Sequence, residues 1–265
     1  MDQESIEGAL AGLPLGPIRY FESATSTNDL ARDWAGGDAP DLSLVIADEQ
    51  TAGKGRSGRS WITPPGAALA FSLVLRPELG EGAGEWLPHL VGAAGLAIAS
   101  AFESLFGLQP ELKWPNDVLL RGKKAGGVLI EIDWDGDQAQ SIVVGIGINV
   151  FERSIPPAEM LRFPATSLET EIGTQPDRLP ILAEILHAFL AWRGRPADEV
   201  IRAWEGMLAY KGRTVELSGE RGQAHRGRLE GLERNGTLRL RLPSGETISP
   251  PSGDLTLRLV DSLPE

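Results

Sequence analysis

Three short stretches hold the residues best able to do chemistry. The first, Gly53-Lys54-Gly55-Arg56-Ser57-Gly58, sets Lys54, Arg56 and Arg59 at i, i+2 and i+5 among glycines. Glycine lets backbone N–H groups approach an anion closely, and alternate cations add charge-assisted hydrogen bonds to phosphate or carboxylate. Gln50 and Trp61 flank it, so the stretch is either an ordinary solvated basic loop or a ligand loop. The second, Lys113-Trp114-Pro115-Asn116-Asp117, breaks an apolar strand with a proline. It is either a plain turn or a strand end where amide and carboxylate converge on a ligand or a hard cation. Lys124 follows, with the small residues Ala125-Gly126-Gly127 behind it. The third, Gly145-Ile146-Gly147-Ile148-Asn149, puts two glycines in a strand that ends in an amide able to donate and accept toward a base edge. A glycine-marked bulge fits it equally well. Ser26-Thr27-Asn28 has the chemistry of a helix N-cap, and a cap can also bind an anion.

The match to G-x-G-x-x-G at Gly53 invites a dinucleotide-binding assignment that its context refuses. Trp61-Ile62-Thr63-Pro64-Pro65-Gly66 and another strand follow, where a Rossmann loop must open a helix. Kinase and Walker A loops fail on their neighbours as well. With no cysteine and only His89, His187 and His225, thiol nucleophiles, Cys-ligated zinc, disulfides and multi-His metal sites are excluded. Any chemistry must run on lysine, arginine, carboxylates, amides and backbone.

The 265 residues suffice for one large core, or for one core and a small appended domain. A net charge of −12 repels phosphate backbones and argues against DNA as a partner. The N-terminus lacks the basic start of a signal peptide, and no apolar run is read as a membrane span, so a soluble cytoplasmic protein is expected.

The elements that must position these residues come next. After a lead-in of 19 residues, Ser26 caps a helix of two to three turns; Leu42 to Ala47 and Ala68 to Leu75 are strands around the glycine loop. Glu85 to Phe106 is a long helix that tolerates Pro88 in its first turn. Three strand pieces follow, Glu111 to Leu120, Gly126 to Trp134 and Ser141 to Val150, the last two a hairpin. Leu182 to Trp192 and Ala197 to Leu208 are helices, the second with Pro196 at N1. Strands and helices without strict alternation make the fold class α+β. Past Met207, the segments Thr214 to Leu217, Ala224 to Leu232, Thr237 to Leu242 and Leu255 to Val260, with glycine turns between them, read as a small β-barrel. The expected division is 1–206 and 207–265.

In order and spacing, Ser26-Thr27-Asn28, the run from Gln50 to Trp61, Lys113 to Asp117, Lys124 to Gly127 and Gly145 to Asn149 together resemble the biotin protein ligases. The resemblance implies a mixed β-sheet with helices, like class II aminoacyl-tRNA synthetases, followed by an SH3-like barrel. It implies a two-step reaction: biotin and ATP give biotinyl-5′-AMP, and biotin then passes to a lysine of a biotin carboxyl carrier protein. It implies biotin contacts from Ser26, Thr27, Asn28, Gln50, Gly53, Lys54, Gly55, Arg56, Lys124 and Gly127. Nucleotide contacts would come from Arg56, Arg59, Trp61, Asn116 and Asn149, and catalytic charge from Arg56, Lys113 and Lys124. Mg²⁺ would sit at Asn116 and Asp117. Lys54 stands where many members have an arginine, which keeps the charge and loses the planar fork. The 19-residue lead-in is too short for the DNA-binding repressor domain that many bacterial members carry, so a ligase-only form is expected, with no DNA or membrane partner; a homodimer is compatible with it. The rival functions are a lipoate or other acyl-adenylate ligase and a non-catalytic peptide-binding adaptor. The adaptor suffers from the absence of Phe, Trp or Tyr beyond Tyr210.

Overall fold

The strands of the larger sheet sort their side chains by alternation, which decides where core and site lie. In a computed structural model, residues 1–76, 83–219, 224–250 and 255–260 are described. Seven strands run β1 (Ile18–Ala24), β2 (Ser43–Gln50), β3 (Ala68–Leu75), β4 (Pro110–Lys113), β5 (Asp117–Leu120), β6 (Lys123–Asp135) and β7 (Gln138–Asn149). Their spatial order is β1-β2-β3-β7-β6-β5-β4, parallel between β1 and β2 and antiparallel elsewhere.

One face of this sheet is apolar. Leu44 and Ile46 of β2, Leu69, Phe71 and Leu73 of β3, and Val144, Ile146 and Ile148 of β7 join the main core, which helices α3 (Ala83–Phe106) and α5 (Arg178–Arg193) cover. On the other face lie Val45, Val74 and Val143, which pack against Ala31, Trp34 and Ala35 of helix α2 (Thr27–Ala35). This face also carries Ser72, Gly145 and Gly147, small residues at alternate positions of β3 and β7. The opposite alternation of large and small is what leaves room for a site on the α2 side.

Several sequence expectations are revised. The lead-in contains helix α1 (Gln3–Leu10), capped by Asp2, and the start of β1; its apolar positions, Ile6 and Leu10, are too few to show a period. Pro88 is the sixth residue of α3 and not in its first turn. Pro196 is the N-cap of α6 (Ala197–Gly206) and not N1. The stretch Leu87–Phe106 is long and apolar enough to cross a membrane, contrary to expectation, but most of it is buried inside the fold. A short helix α4 (Leu168–Ile172) went unread.

The C-terminal segment forms a second sheet, in the order β11-β10-β9-β8-β12, from β8 (Thr214–Gly219), β9 (Ala224–Leu232), β10 (Leu238–Arg241), β11 (Thr247–Ile248) and β12 (Leu255–Leu259). It is antiparallel and, among the described residues, open: its end strands β11 and β12 do not pair. Leu217, Leu229, Leu240 and Leu257 belong to the same core as the first sheet's residues.

Candidate active site

Ser26 begins α2 with its side chain accepting the Asp29 N–H at 3.5 Å, which turns the first helical residues, Thr27 and Asn28, toward the small-residue face. Both are buried, so their polar groups need partners. Gln50, at the end of β2, accepts the Thr27 N–H at 2.8 Å and lies 3.2 Å from its hydroxyl, while its own amide donates to Thr63 at 3.0 Å. Ser72 Oγ lies 2.8 Å from Thr27 Oγ1 and donates to Asn28 Oδ1 at 2.7 Å. Asn28 Nδ2 donates to Glu131 Oε2 at 2.8 Å. A Cβ on Gly145 would stand 2.0 Å from Asn28 Oδ1, so only glycine admits Asn28 here.

The glycine loop folds back on itself. Gly55 N donates to Arg59 O at 2.7 Å and Trp61 N to Gly53 O at 2.8 Å, with Ser57 and Gly58 at positive φ forming the tip. Lys54 pairs with Asp29 of α2, so it fastens the loop to the helix instead of pointing at an acid from outside. Gly53 does not line the cavity. It allows the close return of the chain, since a Cβ there would meet Trp61 O at 2.3 Å. The Trp61 ring lies flat on Gly147, where a Cβ would come within 2.5 Å of it, and its buried Nε1 has no hydrogen-bond partner.

The chain turns through Trp114, Pro115 and Asn116, so that Lys113, the last residue of β4, pairs across the ladder with Asp117, the first of β5. Asp117 then receives two ammonium groups, Lys124 at 2.6 Å on Oδ1 and Lys113 at 3.6 Å on Oδ2. Burial alone would push the Asp117 carboxyl up, but Lys124 and Lys113 outweigh it and hold the group below its ordinary value. Burial pulls the Lys113 ammonium down, and Asp117 restores only part of that loss. Lys113 also lies over the Phe163 ring, 4.5 Å from its centre, and Lys124 over that of Trp61 at 5.3 Å.

Two cavities adjoin at this cluster. A smaller one, of about 110 Å³, is walled by Ser26, Thr27, Asn28, Gln50, Lys54, Gly55, Arg56, Asn116 and Gly127, with Gly145 and Gly147 at its floor. A larger one, of about 640 Å³, is bounded by Lys113, Asn149, the segment from Ser154 to Ala165, and strands β8 and β12. Arg59, Trp61, Asp117 and Lys124 belong to both.

The geometry narrows one expected role and opposes another. Asn149 lines the larger cavity but spends its NH₂ on the carbonyls of Lys124, at 3.4 Å, and Thr166, at 3.1 Å, so it clamps two chain segments and would meet a base edge through Oδ1, as an acceptor. Asn116 and Asp117 offer no metal cage: the Asn116 amide donates to Val128 O at 2.6 Å, and each Asp117 oxygen faces a lysine. Among the described residues no cluster of three His, Asp or Glu could hold a metal ion. Ser72, Glu131 and Phe163 were not foreseen. A lone hydroxyl in the otherwise apolar Ala68–Leu75 was the available signal for Ser72.

The model of the biotin/lipoate A/B protein ligase family matches residues 20–149. A biotin–[acetyl-CoA-carboxylase] ligase of Paracoccus denitrificans is 35% identical over 80% of this chain and 90% of that protein. The chain belongs to the biotin protein ligase family. The bifunctional ligase/repressor BirA of Bacillus spizizenii is 38% identical over 64% of this chain, a match that spans about half (51%) of that relative's length. Among solved structures, a biotin protein ligase from Aquifex aeolicus in complex with biotin and ATP superposes with a TM-score of 0.78, at 30% identity, over 92% of this chain and 99% of that one. The biotin ligase fold is thus the one whose mixed sheet places the two cavities side by side.

Proposed function

We propose that this chain joins biotin to ATP as biotinyl-5′-AMP and passes biotin to a lysine of a biotin carboxyl carrier protein. The observation that carries the proposal is the meeting of the two cavities at Lys124. The hydroxyl and amide groups of Ser26, Thr27, Asn28 and Gln50 suit the paired donors and acceptors of a ureido ring. The larger cavity suits a nucleotide. An acid seated in the first would bring its carboxylate to Lys124, beside the α-phosphate of a nucleotide in the second.

In the first step a carboxylate oxygen bonds to the α-phosphorus, the bond to the bridging oxygen breaks, and pyrophosphate leaves. Two anions must approach, and the net positive cluster of Lys113, Lys124 and Asp117, with Arg56 and Arg59, lowers that barrier. Asp117 holds the lysines in place; with its pKa held low it is a poor base. In the second step the carrier amine attacks the acyl carbon, AMP leaves, and the amine's proton passes to solvent. Mg²⁺ enters as MgATP, the substrate, and no step is assigned to a metal held by Asn116 and Asp117.

The proposal extends to organisation: 1–206 as the catalytic domain, related in fold to class II synthetases, and 207–265 as an SH3-like domain. Strands β8 and β12 wall the larger cavity through Ser218, Thr256 and Arg258, which supports a role for this domain at the nucleotide or the acceptor. A reaction that draws on ATP and on a carboxylase carrier supports a cytoplasmic location. The relatives of Paracoccus denitrificans and Mycobacterium tuberculosis, named biotin–[acetyl-CoA-carboxylase] ligases, support an acetyl-CoA carboxylase subunit as acceptor. Incubation with biotin, MgATP and a purified carrier domain should add one biotinyl group to the carrier lysine by mass spectrometry. Transfer of lipoate with none of biotin would overturn the proposal.

A further inference from the structure

Beyond the residues that line the smaller cavity, one partly buried chain of polar groups runs from it along the α2 side of the sheet. Glu131 lies on β6 on the same side as Leu129 and Asp133, facing α2. Its Oε2 accepts the Asn28 amide at 2.8 Å, and its Oε1 meets Arg32 Nη1 at 3.5 Å. Arg32 is held independently by Asp133, at 2.6 Å from Nη2 to Oδ1. Leu129 O lies 3.4 Å from the same Asn28 nitrogen.

An asparagine side chain is nearly symmetric in shape, and only its neighbours decide which way its oxygen points. Here both groups on one side of Asn28, a carboxylate and a carbonyl, are acceptors, so the NH₂ must face them. Oδ1 is therefore turned to Ser72, whose hydroxyl proton it takes at 2.7 Å. Ser72 Oγ also lies 2.8 Å from Thr27 Oγ1, whose own proton has an acceptor in Gln50 Oε1 at 3.2 Å, so the single Ser72 proton has two acceptors within reach. Were Asn28 inverted, its NH₂ would face Ser72 and the Ser72 proton would go to Thr27 alone, occupying a lone pair of the Thr27 hydroxyl that is otherwise open. Asn28 and Thr27 both line the cavity, so its pattern of donors and acceptors depends on this direction.

We propose that Glu131 is a positioning residue for ligand selection: its carboxylate fixes the orientation of Asn28 and, through Ser72, the donor and acceptor polarity of the cavity floor that recognises a cyclic urea. The inference rests on the biotin-ligase function proposed above. Glu131 touches no reacting atom, and its action is confined to the ring end of the substrate. It sets discrimination between acids that carry a cyclic urea and acids of similar length that do not.

The test is Glu131→Gln, which keeps size and shape but can offer either an NH₂ or an oxygen to Asn28, with Asp133→Asn as a control that disturbs Arg32 and leaves Asn28 alone. Pyrophosphate release is measured with biotin, dethiobiotin and lipoate as the acid. With Glu131→Gln, the KM for biotin and for dethiobiotin should rise about tenfold, in keeping with one mis-set, partly buried hydrogen bond to a charged group, while kcat at saturation and the KM for ATP stay unchanged. Selectivity for biotin over lipoate should fall by a similar factor, and Asp133→Asn should leave it untouched. An unchanged biotin KM in Glu131→Gln overturns the inference. So does an equal rise for all three acids, or a loss of selectivity in Asp133→Asn, because each of these marks general loosening. If the wild-type chain activates none of these acids, it is the ligase function that fails; if the wild type turns over biotin normally and Glu131→Gln matches it, only the role of Glu131 fails.

Discussion

At the scale of single residues, the site turns on one carboxylate shared by two lysines. Lys124 touches both cavities, so Lys124→Ala should lower the rate of adenylate formation by at least about a hundredfold while biotin binding weakens far less, as expected for charge that acts on the transition state. Single-turnover kinetics beside calorimetric biotin titration check this; equal losses in both would remove Lys124 from the chemistry. Asp117→Asn leaves the buried Lys113 ammonium and the partly exposed Lys124 ammonium facing a neutral amide, and should cost about 3 kcal/mol in urea unfolding at neutral pH. In the wild type the folded Asp117 pKa lies below its ordinary 3.8, so its contribution is fully present above that value and fades as pH falls through the lower, folded one. The difference in stability between wild type and Asp117→Asn should accordingly be constant from pH 5 to 7 and shrink only below about pH 4. A gap that closes between pH 7 and 5 would contradict the shift. A turn at Pro115 was legible because a proline interrupts an apolar strand, but the pairing of Lys113 with Asp117 was not, since the spacing pointed to the Asn116 amide and the Asp117 carboxylate converging instead. Nor were Ser72 and Glu131, since their partner Asn28 lies 44 and 103 residues away, and nothing local to a strand announces such a pairing.

At the scale of elements, glycines of β7 decide what can lie on the sheet. Gly147 supports the Trp61 ring, and the ring in turn holds the end of the glycine loop against the cavity it shares with Lys124. Gly147→Ala would put a Cβ 2.5 Å from that ring, closer than either can accept, and β7 is held between β3 and β6, so the ring must leave. The KM for ATP and for biotin should rise roughly tenfold, about 1.4 kcal/mol each, with the urea midpoint almost unmoved because Trp61 is only half-buried. A fall in stability with both KM values intact would mean that the ring is structural packing only. The sequence marked these glycines as close approaches without saying to what. It found β2, β3, β6, β7 and most of the helices because each holds an apolar run or a clear alternation, and it lost α1, β1, α4 and β11 because their apolar positions are too few or too mixed with polar ones for a period to emerge.

At the scale of the whole molecule, the composition shift near Met207 marks a change of architecture more than a break in the fold. Leu112 of β4 donates to Met207 O at 2.8 Å and accepts from Ala209 N at 3.0 Å, so the chain entering the second sheet first pairs with the edge of the first. Trp114, inside the Lys113 to Asp117 turn, donates its indole N–H to Gly236 O at 3.0 Å, and Glu205 of α6 accepts from Leu232 N at 3.0 Å. Gly236 itself sits so close to α3 that a Cβ would come within 2.6 Å of Pro88. Loss of the second sheet would therefore uncover a buried tryptophan and leave its N–H without an acceptor, in the very turn that holds Lys113 and Asp117 together. Calorimetry of the whole chain should show one unfolding transition with its calorimetric and van't Hoff enthalpies equal, and Gly236→Val should lower that single midpoint and the adenylation rate together. Two resolved transitions, with adenylate formation surviving the melting of the first, would show instead that the C-terminal sheet is an independent body and that the turn at Pro115 stands without it.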